Sequence, residues 1–262
     1  MEEPAATRRN LGEFLRSRRA RLTPQSAGLR SGARRRVPGL RREELAQLAG
    51  ISAEYYQRLE QGRVGRPSDE VLNALADALR LDEVEREHLR ALTRPPRRGP
   101  RPPVETGPAR PGLRRMLALM PEVPAMVIND RFDVLALNPA AERVFSPAGG
   151  WNLARFLFLA PAGREFYLEW EETAATTAGQ LRLALGRDPE DGALAALVEE
   201  LLGSSPEFRE LWATGDVDLR GHGTKAFRHP TEGVLTFHYE NFTLPASPGL
   251  RLITFAPAPS AG

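Results

Sequence analysis

Cysteine is absent from the 262 residues. That removes disulfides, thiolate nucleophiles and cysteine-ligated zinc together. No apolar run approaches the roughly 18 to 20 residues that a membrane span needs. The opening MEEPAATRRN is not followed by the apolar segment of a secretory signal, so a cytoplasmic location without a membrane partner is expected. Lysine occurs once, at Lys225, against heavy use of arginine; a GC-rich coding bias accounts for that, and the deficit carries little functional weight. Also missing are a phosphate-cradling glycine loop, a nucleophile elbow and a His-Glu-x-x-His pattern. What remains is a globular chain long enough for one large or two ordinary domains, with no cofactor, no metal and no catalytic residue expected.

The net charge of +2 hides an asymmetry. Residues 1–98 hold 21 Arg against 14 acidic residues, or +7, while residues 99–262 hold 15 basic against 20 acidic, or −5. A basic half is the electrostatic footprint of phosphate binding, and the acidic half would repel DNA.

The most ordered pattern lies in the basic half, RREELAQLAGISAEYYQRLEQGR from Arg41 to Arg63. Leu45, Ala46, Leu48 and Ala49 recur at helical spacing, Gly50 sits where a left-handed cap ends a helix, and Ile51 fills the corner. Ser52 restarts the chain as an N-cap. Tyr56 and Leu59 then share one face, which turns Glu54, Gln57, Arg58 and Gln61 to the other. Two short helices joined this tightly cross steeply, and the second can present its polar side to a DNA major groove.

This stretch resembles the helix-turn-helix of the Cro/C1 (xenobiotic response element) class, on E-E-L-A-x-x-A-G-I-S at Glu43–Ser52 and R-L-E-x-G-R at Arg58–Arg63. That class starts its first motif helix on a Thr or Ser cap. Arg41 holds the place here, so the helix is expected to begin nearer Gly39. The resemblance implies that Ala53, Glu54, Gln57 and Arg58 face base edges, with Ser52 at the helix start among the DNA-binding residues. Tyr55 would reach a phosphate, and Arg42, Arg63 and Arg66 would be backbone contacts. Glu60 is expected to be a structural partner.

Around the motif, Asn10–Leu22 reads as a helix with Leu11, Phe14, Leu15 and Leu22 as its apolar stripe and Arg16, Arg18, Arg19 and Arg21 around the rest. In the long connection that follows, Arg34, Arg35 and Arg36 form either a DNA-tracking arm or a solvated loop. Ser68 opens a further helix to Leu79, and Asp82 with Glu85 makes a capping box for a fifth, ending near Thr93. The expectation is a five-helix, all-α, lambda-repressor-like domain over 7–93, followed by a Pro/Arg-rich linker over 94–112.

Residues 113–257 change character. After a helix over Leu113–Met120, the apolar runs Ala125–Ile128 and Val134–Leu137 flank the turn residues Asn129, Asp130 and Arg131. Asn138 can cap a helix with Pro139 at its first position. Trp151–Thr214 reads as helical, and Thr224–Arg228, Val234–Phe242 and Leu250–Ala256 read as strands. This order resembles a PAS sensor domain, an α+β fold whose antiparallel sheet is covered on one side.

The whole chain resembles the MmyB-like regulators of actinobacteria. The resemblance rests on PGLRREELAQLAG (Pro38–Gly50), NLARFLFLAP (Asn152–Pro161) and FRHPTEGVLTFHYE (Phe227–Glu240). It implies a transcriptional regulator whose PAS-like domain accepts a small apolar effector, with fatty acid as the suspected class. Trp151, Phe156, Phe158, Phe166, Tyr167, Trp170, Phe237 and Tyr239 would line such a pocket. The alternative is that these rings pack as an ordinary core in a ligand-free dimerisation or protein-interaction module. His229 and His238 with Glu240 form the one candidate cluster for a metal or proton transfer, and a sheet surface with alternating polar positions explains them better. Double-stranded DNA and a small ligand are the expected partners, and the two half-sites such motifs bind suggest a homodimer.

Overall fold

Leu11, Phe14 and Leu15 give the first helix, α1 (Ala5–Arg21), a buried stripe that is the floor of the N-terminal unit. The computed structural model describes residues 5–29, 39–64, 66–94, 109–145, 152–245 and 247–258; Arg34, Arg35, Arg36 and Trp151 lie outside them. The chain divides into two units, Met1–Pro100 with Leu185–Glu190, and Arg101–Ala184 with Asp191–Gly262.

In the first unit α1 is followed by α2 (Arg42–Leu48), α3 (Ala53–Glu60), α4 (Asp69–Ala78) and α5 (Glu83–Thr93). Helix α2 starts at Arg42 rather than near Gly39. Its N-cap Arg41 has no side-chain acceptor, but the Glu44 carboxylate reaches back to accept from the Arg41 backbone N–H at 2.6 Å. Half of a capping box therefore sets the start. At the other end Gly50 has φ +67°, and the Ile51 N–H donates to the Ala46 carbonyl at 3.0 Å, which closes the turn. The Ser52 hydroxyl accepts from the Tyr55 N–H at 3.1 Å, and α3 begins. Asp82 and Glu85 form the full reciprocal box at 2.8 and 3.1 Å.

The arginines of α1 are not all solvated. Arg18 is buried, with its guanidinium 4.9 Å from the Phe14 ring centre and 3.2 Å from Glu85. A carboxylate brought from α5 and a ring one turn back on α1 make that burial tolerable.

The second unit opens with α6 (Pro111–Ala118), then β1 (Ala125–Asn129), β2 (Val134–Leu137) and α7 (Pro139–Phe145). Asn138 caps α7 through the Ala141 N–H at 2.8 Å and ties its side-chain nitrogen to the Met120 and Val123 carbonyls. Helices α8 (Leu153–Leu159), α9 (Pro161–Phe166), α10 (Trp170–Arg187), α11 (Gly192–Ser204) and α12 (Pro206–Ala213) precede β3 (His222–His229), β4 (Gly233–Thr243) and β5 (Leu250–Pro257). The five strands form one antiparallel sheet in the order β2-β1-β5-β4-β3.

Two features depart from the sequence reading. The sheet is covered on more than one side: Ala125, Val127 and Leu250 pack with Ala109, Leu113 and Leu117, so β1 is buried on both faces. The stretch read as helical is also interrupted, at 167–169. Tyr167 leaves α9 to bridge Phe227, and the Leu168 N–H donates to the Ala226 carbonyl at 3.1 Å.

Gly12 fixes how closely α1 approaches α3, because a Cβ there would run into the backbone carbonyl of Glu60. Backbone cannot yield as a side-chain tip can. Gly12→Ala should therefore destabilise the N-terminal unit by at least about 1 to 3 kcal/mol in denaturant melts, as overpacking does elsewhere. An unchanged melt would show that the two helices are free to separate.

Candidate functional site

Two sites emerge, one in each unit. In the first, Tyr56 and Leu59 anchor α3 in the core, and burial pushes the Tyr56 hydroxyl pKa well up, with the Glu60 charge adding to the shift. Glu54, Gln57, Arg58 and Gln61 are exposed on the far side of α3, with Ala53 and Tyr55 half-buried at its start. The side chains of Arg58 and Arg63 make no ion pair among the described residues. Ser52 is exposed, with its hydroxyl serving as the cap. Arg66 lies 3.9 Å from Asp69 on the surface.

Arg42 is less free than a phosphate contact would be. Its Nε donates to Glu60 Oε2 at 2.6 Å, although its side chain remains 44% exposed. Glu60 also accepts from Arg19 Nε at 2.7 Å, and its own side chain is only 1% exposed. One carboxylate at the end of α3 thus ties that helix to α1 and to the start of α2. Burial alone would raise its pKa, but the hydrogen bonds from Arg19 and Arg42 outweigh it and hold the carboxyl below the ordinary value of 4.5.

The second site is a cavity of about 60 Å³ between the sheet and the helices of the C-terminal unit. Strand alternation builds one wall: Lys225 and Phe227 from β3, Tyr239 and Asn241 from β4, Arg251, Ile253 and Phe255 from β5, and Met126 and Ile128 from β1. Thr173, Thr176, Thr177 and Gln180 supply the opposite wall from one face of α10, at the i, i+3, i+4, i+7 spacing of a helix. Phe132 enters from the β1–β2 turn, where it holds φ +64°, an uncommon conformation for a bulky residue. The Asn129 side-chain oxygen secures that turn by accepting from the Arg131 and Asp133 N–H groups at 3.0 and 2.9 Å.

No aspartate or glutamate lines the cavity, while two cations do. Arg251 donates to Gln180 Oε1 at 2.6 Å and lies over the Phe132 ring, 5.0 Å from its centre. The Lys225 ammonium sits 5.2 Å from the Tyr239 ring centre and 6.0 Å from that of Tyr167, and makes no hydrogen bond or ion pair among the described residues. By surface area the residue is half-buried, but its ammonium lies deep in the unit. Burial, then the charges of Arg251 and Arg220, push its pKa down to about 8. Gly223 stands opposite Tyr239, and a Cβ there would come within 3.1 Å of the tyrosine hydroxyl. The missing side chain lets that ring lie beside Lys225.

Of the aromatics expected to line a pocket, Tyr167 and Tyr239 do so. Phe156, Phe166 and Phe237 are buried beside the cavity in a cluster with Phe145, Phe227 and Phe255, in contacts such as Phe145–Phe166 and Phe237–Phe255, at 6.3 and 6.2 Å. Phe158 and Trp170 pack on each other and on Phe208 and Arg164. Phe156, Phe166 and Phe237 are core, packed against other rings, whereas Phe158 and Trp170 are half-buried outside the cavity. Sequence reasoning missed Lys225, Arg251 and the threonine face of α10. The i, i+3, i+4, i+7 run of threonine and glutamine on one face of α10 was the available signal.

His229 and His238 are not together. The register sets His229 opposite Gly233 and His238 opposite Thr224. His229 Nδ1 accepts from the Thr231 and Glu232 N–H groups and its Nε2 meets the Arg143 carbonyl at 3.0 Å, so its polar atoms are taken up by structure. No group of three metal-ligating side chains occurs among the described residues.

A tight helix pair with an outward polar face, followed by a sheet unit with an internal cavity, defines a DNA-binding regulator that carries a ligand-binding unit. Residues 109–261, more than half of the chain, match the family described as the MmyB-like transcription regulator ligand binding domain, and residues 10–89 match a helix-turn-helix domain. The chain belongs to the MmyB-like transcription regulators. Both matched families are regulatory rather than enzymatic. No match to a curated protein was found. No helix among the described residues is long and apolar enough to cross a membrane.

A carboxyl held below its ordinary value stabilises the folded state above that value and loses the contribution as pH falls through the folded pKa. Protection of the α3 amides from hydrogen exchange should therefore fall away below about pH 4.5. Glu60→Gln should already be weaker at pH 7, by on the order of 3 kcal/mol, with a flatter acid profile. Identical acid profiles for the two proteins would remove Glu60 from this role.

Proposed function

We propose that this chain is a cytoplasmic, sequence-specific transcriptional regulator whose C-terminal unit is a PAS-like sensor for a small amphipathic acid, with fatty acid as the expected class. The observation that carries the ligand class is the cavity itself, apolar along Phe132, Phe145, Phe227 and Phe255 and positive at Lys225 and Arg251 with no lining carboxylate. An anionic head group answers the charge, and an apolar tail suits the rings. The strand order β2-β1-β5-β4-β3 with helices inserted after β2 supports the PAS-like reading. At about 60 Å³ the cavity is far below the roughly 300 to 1,000 Å³ of small-molecule pockets, so a fatty acid must displace its walls on entry. A ligand that prefers one arrangement of the chain shifts its DNA affinity by that preference.

On the DNA side, Arg58 suits guanine O6 and N7, Gln57 adenine, Glu54 cytosine N4 and Ala53 a thymine methyl. Ser52, Tyr55, Arg63 and Arg66 suit the phosphate backbone, and Arg42 shares that role with its bond to Glu60. A homodimer assembled through the C-terminal unit would place two such helices on two half-sites.

The small cavity and the exposed Met116 (55%) of α6 and Leu119 (63%) at its C-terminal cap favour a second reading, a ligand-free dimerisation or interaction module. Native mass spectrometry of freshly purified protein separates the two. A stoichiometric adduct of a few hundred daltons, or uptake from a fatty acid panel, is expected; a bare mass under both conditions supports the module. In binding assays Arg58→Ala should cost about 1 to 3 kcal/mol on a selected duplex and far less on random DNA. An equal loss on both would reduce Arg58 to a phosphate contact. In sedimentation runs the chain should appear as a dimer on its duplex, and a monomer both free and bound would contradict the dimer.

A further inference from the structure

Of the 36 basic side chains apart from histidine, 35 are arginine and one is lysine. Wherever this chain needs a plain positive charge it uses arginine. Its single lysine stands in the wall of the one cavity described above, on the inward face of β3 beside Phe227. Arginine stays protonated and is no nucleophile, whereas a lysine in an apolar site can release its proton and offer a lone pair.

The surroundings favour that release. Lys225 lies near the rings of Tyr167 and Tyr239 with no acid bonded to it, and Arg251 stands in the same lining; the charges of Glu172 and Glu169 oppose the release but do not offset burial. With the pKa pushed down to about 8, an appreciable share of Lys225 is free amine just above neutral pH. An ordinary lysine, at 10.5, would be almost wholly protonated there. Thr173, Thr177 and Tyr239 bring hydroxyls to the same space, where they can relay protons to a departing water.

We propose that Lys225 is a covalent capture site for an apolar aldehyde. The amine lone pair adds to the carbonyl carbon while the carbonyl π pair moves to oxygen, which takes a proton. The carbinolamine then loses water as the nitrogen pair closes the C=N bond. Amine and aldehyde become imine and water, with no oxidant or reductant. The protonated imine keeps the positive charge facing the Tyr239 ring. This inference rests on the cavity being an effector site.

The test uses the full chain with hexanal as probe and cyanoborohydride to reduce any imine to a stable secondary amine, followed by intact mass and peptide mapping. Lys225 should be alkylated at least about tenfold faster than in the urea-unfolded chain, with the rate rising through pH 8. Lys225→Arg, checked for its fold by circular dichroism, should retain only adducts on the α-amine. Octanoate in excess should suppress the native reaction by occupying the cavity. Equal rates in folded and unfolded protein, or alkylation of the α-amine alone, would overturn the capture site. If a fatty acid adduct is still seen by native mass spectrometry in that case, the cavity reading stands without it; if neither is seen, both fall.

Discussion

A charge taken out of water has to be answered by an opposite charge or by well-placed dipoles, and the two units meet that constraint differently. In the N-terminal unit the answer is internal. Glu60 is enclosed, and Arg19 and Arg42 bind it at 2.7 and 2.6 Å, so one carboxylate locks α3 against α1 and α2. In the C-terminal unit Lys225 is met by tyrosine rings rather than by an acid, inside a cavity whose lining has none. The first arrangement is a rigid mount. The second, on the reading proposed above, is a receptive site for something anionic or for an electrophile that uses the neutral amine.

The mount determines what the recognition helix can present. With Tyr56, Leu59 and Glu60 all turned inward, Glu54, Gln57, Arg58 and Gln61 have to face outward on a helix whose start is set by the Ser52 cap. Preorganisation of this kind matters because base discrimination depends on side chains held at the right depth in a groove. The cavity is mounted in a comparable way. The hydrogen bonds of Asn129 hold the turn that carries Phe132, Gly223 makes room for Tyr239, and the bridge from Tyr167 to Phe227 ends α9 so that the Tyr167 ring reaches the cavity wall.

Signals that act over a few residues were legible in the sequence: the Gly50 and Ser52 pair, the Asp82–Glu85 box, the Asn138 cap with Pro139, and the alternation of the strands. The aromatic pocket was legible only in part, because counting rings does not say which faces are already covered by other rings. The remainder depends on partners far apart in the chain. Pairing of Ala125 with Thr254 and Asn129 with Leu250 closes the sheet across some 120 residues, and no local pattern announces it. Arg18 is buried because Glu85 reaches it, which a stripe of arginines on α1 does not reveal. The single lysine, set aside as coding bias, gained meaning once β3 placed it in a cavity wall.

On the function proposed above, the two units act as one device, with the ligand of one altering the affinity of the other. The most direct measurement is the dissociation constant of the full chain for a duplex selected from a random pool, read by fluorescence anisotropy before and after loading with a long-chain fatty acid, with occupancy confirmed by mass. A shift of at least about fivefold, in either direction, is expected, the lower end of ordinary coupling. Equal affinities for loaded and empty protein would contradict it, leaving a DNA-binding unit and a lipid-binding unit that only share a chain.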